Sequence, residues 1–225
     1  RRSSDLATYT TGGTAITLPT PTRTGYSFAG WYAESGLTTL VSGAQTPSAD
    51  ATLFAKWTAN PYTLTYNYNN ATGGNGTTSA TYTTGGSAIS LPTPTRTGYT
   101  FAGWYSEAAF TNAVTGTQTP SADATLYAKW TAINYNVTYN GNAPSGQSVT
   151  GSQSDATNYI SGATVTALNA GTLSVTGYRF VGWNTAANGT GSDYVAGGTL
   201  SMPVGGVTLY AKWVLNSIRL TYDAN

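Results

Sequence analysis

The chain has 225 residues, no cysteine, no histidine, eight acids and a net charge of +1, with only 8% of residues charged. Disulfides, thiolate metal sites and the usual neutral-pH general base are thereby excluded, and so sparse a charge leaves no footprint for nucleic acid or an anionic membrane. No apolar run approaches the roughly 18 residues of a membrane span, and the polarity comes from Thr, Ser, Asn and Tyr rather than ions, a composition that suits the outside of a bacterial cell.

Taken in order, residues 1–57 begin with Ala7-Thr8-Tyr9-Thr10-Thr11-Gly12-Gly13 and reach Gly25-Tyr26-Ser27-Phe28-Ala29-Gly30-Trp31-Tyr32. They close on Ala51-Thr52-Leu53-Phe54-Ala55-Lys56-Trp57. All three stretches return 73 residues later, as Ala80–Gly86, Gly98–Tyr105 and Ala124–Trp130. A looser third copy of the last two stands at Gly177–Asn184 and Val207–Trp213, displaced by 79 and 83 residues. Self-similarity at a fixed period marks tandem modules. The reading is three: repeat one over 1–57, repeat two over 58–130, and repeat three over 131–213 with insertions, followed by an extra segment 214–225.

Repeat two gives the fullest pattern. Tyr62-Thr63-Leu64-Thr65-Tyr66 alternates strictly and predicts a half-buried strand. Gly73-Gly74-Asn75-Gly76 marks a turn, and Ala80 to Thr84 a second strand. The prolines of Pro92-Thr93-Pro94 exclude a regular helix or a central strand, so this is a crossing loop with room for one short helical turn before Gly98. Tyr99 to Tyr105 is a third strand. Ser106 to Phe110 carries the chain's only helical propensity, over too few residues for a stable helix. A turn at Pro120-Ser121-Ala122-Asp123 leads into the closing strand, with Leu126, Ala128 and Trp130 on one face and Tyr127 and Lys129 on the other. Repeat three keeps this order, starting from Tyr135–Tyr139, with a longer polar entry (141–158) and a Gly-rich loop (188–192). Linkers as short as Thr58-Ala59-Asn60 predict a semi-rigid rod.

Repeat one lacks an equivalent of the strand Tyr62–Tyr66, and Ile218-Arg219-Leu220-Thr221-Tyr222 is a further copy of that strand with no module after it. What the first repeat lacks, the last segment carries.

Gly-Tyr-x-Phe-x-Gly-Trp followed by Ala-x-Leu-x-Ala-Lys-Trp resembles the Listeria–Bacteroides repeat, the module of the internalin B-repeats. The resemblance covers nearly the whole chain. It implies a mainly β fold (α+β at most) of three tandem, small β-grasp-like domains, an extracellular setting as stalk or adhesive segment, and no catalytic residues to carry over.

Phe28, Trp31, Leu53 and Trp57, then Phe101, Trp104, Leu126 and Trp130, then Phe180, Trp183, Leu209 and Trp213 occupy matching slots and read as module core rather than a glycan platform. Tyr127 and Tyr210 face outward and are the better aromatic candidates for a sugar or partner, although cross-strand pairing accounts for them equally well. Lys56, Lys129 and Lys212 could in principle form isopeptide bonds; alternation points them to solvent instead. Glu34 and Glu107 are equivalent loop acids, and Asp50 and Asp123 equivalent turn acids, so no module offers a general acid/base pair. No enzyme activity, cofactor or metal is expected. The expectation is an extracellular structural protein assembling head to tail with copies of itself, Ile218, Leu220 and Tyr222 of one entering repeat one of the next. The alternatives are a stalk or adhesin segment of a larger surface protein, and a carbohydrate-binding module.

Overall fold

The computed structural model describes residues 6–223, and every regular element among them is a strand. These residues pack as two compact units, one holding residues up to 69 with 74–93 and 103–129, the other 70–73, 94–102 and 130 onward.

Repeat one contributes β1 (Tyr26–Tyr32), β2 (Leu40–Val41) and β3 (Phe54–Ala59), a three-stranded antiparallel sheet in the order β2-β1-β3. Repeat two contributes β4 (Pro61–Asn67), β5 (Ser79–Thr83), β6 (Tyr99–Tyr105), β7 (Ala113–Val114) and β8 (Ala124–Ala132), a five-stranded sheet in the order β5-β4-β8-β6-β7. Its central pair is parallel, with Leu64 opposite Ala124 and Tyr66 opposite Leu126. Repeat three runs through β9 (Asn134–Tyr135), β10 (Val137–Asn140), β11 (Val149–Thr150), β12 (Tyr159–Ile160), β13 (Thr164–Thr166) and β14 (Ser174–Val175). It continues with β15 (Tyr178–Asn184), β16 (Asp193–Tyr194), β17 (Thr199–Ser201) and β18 (Val207–Leu215). Its main sheet is ordered β10-β18-β15-β16, again with a parallel pair, Tyr139 opposite Leu209. The remaining strands form the two-stranded pairs β9–β12, β11–β14 and β13–β17.

The strand expected over 135–139 is interrupted at Asn136, whose amide instead donates to Thr157 O and Asn158 Oδ1 at 3.2 and 3.1 Å. The helical turn expected before Gly98 is absent; a bridge from Arg96 to Tyr99 closes a tight turn there. Ser106 to Phe110 is a turn as well, with Phe110 at φ 56°. A left-handed residue ends helical winding at once.

The Gly-Trp step of each signature has a backbone reason. Gly30 and Gly182, at φ 133° and 144°, sit where the register slips between Phe28 and Gly30 and between Phe180 and Gly182. Such a bulge re-aims the residues after it, and at these φ values only glycine is unstrained. The tryptophan that follows turns into the module, where its indole N–H donates to the crossing segment: Trp31 to Pro19 O at 2.7 Å, Trp104 to Pro92 O at 2.8 Å, Trp183 to Leu168 O at 2.7 Å.

Candidate functional site: the edge of repeat one and the exposed terminal segment

The twelve signature residues fall into two environments. Trp104, Leu126, Trp183 and Leu209 are buried, while Phe101, Trp130, Phe180 and Trp213 are half-buried at the margins of the same cores. In repeat one, Phe28, Trp31, Leu53 and Trp57 are all only half-buried, and no described residue of that repeat is fully buried. The composition of the slots is the same. What differs is the neighbour of the closing strand. In repeat two, β4 lies along β8 and sets Tyr66 5.3 Å from the ring of Trp104; in repeat three, β10 lies along β18 and sets Tyr139 4.6 Å from Trp183. Beside β3 no described strand lies on that side. The ladder is shortened accordingly: β8 starts at Ala124, whereas β3 starts only at Phe54, three residues past the equivalent Ala51. An open depression of about 350 Å³ lies over Leu18, Phe28, Trp31 and Val41, beside β1, β2 and the crossing segment.

Two polar groups mark the same edge. Asp123 Oδ1 accepts the backbone N–H of Thr63 at 2.7 Å, fastening the start of β4. Its equivalent Asp50 is exposed and holds no such strand. The indole N–H of Trp213 donates to Gly141 O at 2.8 Å, just past β10, whereas Trp57 finds no acceptor among the described residues.

Residues 216–223 form no strand, and Ile218, Leu220 and Tyr222 are 92%, 74% and 85% exposed. The expected polymerisation strand is therefore a segment without regular structure whose apolar side chains meet water. Its last residues, 224 and 225, lie outside the described ones.

The remaining candidates sort as follows. Lys56 and Lys129 stand 5.0 and 4.9 Å above the rings of Tyr32 and Tyr105, on the outward face. Lys212 pairs with Asp193 at 2.6 Å. Tyr127 and Tyr210 are half-buried. Sequence reasoning missed Asn184, which replaces the tyrosine of the other repeats and is 1% exposed. Its Oδ1 accepts N–H groups of Ala186 and Gly191, and its Nδ2 donates to Gly191 O and Asp193 Oδ1, so it is the anchor of the inserted Gly-rich loop. The departure from Tyr32 and Tyr105 was the only available signal. Among the described residues no group of three His, Cys, Asp or Glu could hold a metal ion, and no helix is long and apolar enough to cross a membrane.

Glu107 organises the turn after β6. Its Oε1 accepts the N–H groups of Thr111 and Asn112 at 2.8 and 2.6 Å and the Thr111 hydroxyl, and its Oε2 the Ser106 hydroxyl. Those bonds, the Ser106 hydroxyl first, hold its pKa down to about 2 from the ordinary 4.5. A depressed carboxylate contributes stability above its unfolded value that is lost as pH falls through the folded one. The turn 106–112 should therefore loosen between pH 4.5 and about 2, seen as faster amide exchange at Thr111 and Asn112. Unchanged exchange down to the lower limit would refute it.

The model of the Listeria–Bacteroides repeat domain matches residues 2–56, 62–129 and 135–212. The chain belongs to this family. The stretch matched in repeat two starts within β4, and that in repeat three within β9, just ahead of β10. A protein of Evansella cellulosilytica named as an inferred membrane protein is 37% identical over 214 residues, which is 93% of this chain and 31% of the relative. A second from the same organism, named as a Gly-rich membrane protein on the same footing, is 32% identical over 217 residues, 95% of this chain and 23% of the relative. Internalin H of Listeria monocytogenes is 37% identical over 122 residues, covering 49% of this chain and 20% of its own length. The chain thus spans less than a third of the relatives it matches. No solved structure matches it.

Proposed function

We propose that this chain is a non-catalytic structural segment of a bacterial cell exterior, built of β-grasp-like modules, and that it links copies of itself head to tail by strand exchange. Residues 217–222 of one copy add in parallel beside Ala51–Leu53 of the next. The observation that carries the reading is that, among the described residues, no strand lies beside β3 where the other two modules hold one, while a segment with the sequence of that strand stands exposed on the same chain.

The register follows from repeat two. Leu220 takes the place of Leu64 opposite Ala51, Thr221 that of Thr65 opposite Thr52, and Tyr222 that of Tyr66 opposite Leu53, with its ring over Trp31. Arg219 stands at the position of Thr63, so its N–H meets Asp50 as that of Thr63 meets Asp123, and its guanidinium adds opposite charge. Burying three apolar side chains contributes about 1.5–3 kcal/mol each before ordering costs. Donor and acceptor are different surfaces, so the contact is heterologous and propagates as an open filament.

A second reading is favoured by the relatives' greater length: in a longer polypeptide, 217–222 opens a following repeat, and the segment is part of a stalk or adhesin. Light scattering of the 225-residue chain against the same chain ending at Asn216 separates the two. Strand exchange between copies gives mass that rises with concentration for the first and a monomer for the second. A monomer in both overturns the filament.

A further inference from the structure

Successive modules meet at one recurring corner, the glycine that opens the Gly-Tyr-x-Phe signature. At Gly25, φ is +77°, and an added Cβ would lie 2.7 Å from Thr84 Cγ2 and 3.4 Å from Thr84 Cβ. Thr84 belongs to the next module, on the turn just after β5. The linker residue Asn60 ties the two together: its N–H donates to Gly25 O at 2.9 Å, and its own carbonyl accepts Thr84 N–H at 3.1 Å. The Tyr26 hydroxyl reaches over Gly85, the next residue of that turn.

The second corner repeats the first. At Gly98, φ is +78°, and an added Cβ would lie 3.0 Å from Cβ of Ser161, which stands on repeat three at the position of Thr84. The linker residue Ile133 donates its N–H to Gly98 O at 2.9 Å. Both corners favour glycine, through φ and through the close approach of a hydroxyl residue from the following module.

The third corner has the same backbone. Gly177 has φ +77°, and the linker residue Asn216 donates to Gly177 O at 2.9 Å, yet nothing lies within 4 Å of an added Cβ. In repeat one, Thr11-Gly12 occupies the sequence position of Thr84-Gly85 and Ser161-Gly162, and the three glycines have φ of 81°, 81° and 84°.

The geometry points to a specific docking contact between copies: the Gly177 corner of one receives the Thr11-Gly12 turn of the next. Thr11 packs against Gly177, its N–H bonds the carbonyl of Asn216, and the Tyr178 hydroxyl lies over Gly12. This rests on the strand-exchange reading and adds to it, because it makes the junction between copies a replica of the junction within a chain. Strand insertion alone would leave a hinge at residues 214–217; with the corner engaged, the orientation of one copy on the next is fixed.

The absence of cysteine makes the test clean. A 3.4 Å Cβ separation at Gly25 and Thr84 is close to what a disulfide accepts, about 3.5–4.5 Å, so the double variant Gly25→Cys/Thr84→Cys should close within one chain and serves as the control. Mixing the single variants Thr11→Cys and Gly177→Cys under mild oxidant should give a heterodimer as the major product, lost when the Gly177→Cys chain also ends at Asn216. If the control closes and the mixture yields only statistical dimers, or dimers indifferent to the tail, the inference is overturned. Thr11→Trp tests the corner without touching Gly177. It should weaken association at least tenfold with unchanged thermal unfolding of the single chain, and unaltered association would equally overturn the contact. Tail-dependent association in light scattering without the cross-link would leave strand exchange standing and remove only the docked corner. Neither would remove both.

Discussion

If copies exchange strands as proposed, Tyr222→Ala should weaken their association by about 3 kcal/mol, on the order of a hundredfold in Kd, while the unfolding of the isolated chain should not move. The asymmetry comes from where the ring sits before and after docking. In the single chain Tyr222 is 85% exposed and supports nothing, and substitutions at such sites are nearly neutral. In the acceptor its place is that of Tyr66, which is 5% exposed and packed on Trp104. Docked over Trp31, the ring would carry a core residue's worth of burial. Thr221, on the opposite face of the same strand, is the internal control, since Thr65 is exposed in the equivalent position; Thr221→Ala should cost a few tenths of a kcal/mol at most. Arg219→Ala should fall between, with an effect that shrinks as salt screens its pairing with Asp50. Sedimentation of a donor chain against an acceptor chain ending at Asn216 reads all three. Equal losses for Tyr222→Ala and Thr221→Ala would mean that the tail attaches without entering the module.

What the sequence made legible was the local and periodic part of the fold. Tyr99 to Tyr105 is a strand over those same residues because its aromatic alternation is decided within seven positions. The closing strand runs on to Ala132, past the expected Trp130. The outward aim of Lys56 and Lys129 followed from period-two alternation, but their placement over Tyr32 and Tyr105 depends on strand register, which no single segment encodes. The glycine of the Gly-Trp step could be seen and not explained: the bulge that demands it exists only once the neighbouring strand sets the register. Burial was the least legible property. Leu53 and Leu126 lie in nearly identical heptapeptides, yet one is half-exposed and the other 3% exposed. The deciding neighbour is a parallel strand some sixty residues away in repeat two, a contact that local pattern cannot report.

That pair of leucines supplies the second large expected effect. Leu126→Ala removes a side chain enclosed by β4 and β6 and should destabilise repeat two by about 3 kcal/mol, the ordinary cost of a large-to-small change in a closed core. Leu53→Ala, chemically the same change in the same heptapeptide, should cost repeat one about 1 kcal/mol or less, because the side chain already meets water and its removal leaves no sealed cavity. When a synthetic peptide of residues 214–225 is added in excess, the two costs should converge. The peptide puts Tyr222 opposite Leu53, as Tyr66 stands opposite Leu126, and so turns an open slot into a core position. The peptide should also raise the melting temperature of repeat one in the chain ending at Asn216, since a ligand that binds only the folded module stabilises it in proportion to the logarithm of its concentration. Tryptophan fluorescence of Trp31 and Trp57 in a chain truncated to residues 1–60 would isolate that module, provided it folds with peptide present. A Leu53→Ala penalty that stays small at saturating peptide would place the tail elsewhere than on the parallel edge of β3. A penalty already equal to that of Leu126→Ala in the free chain would mean that repeat one is closed without it.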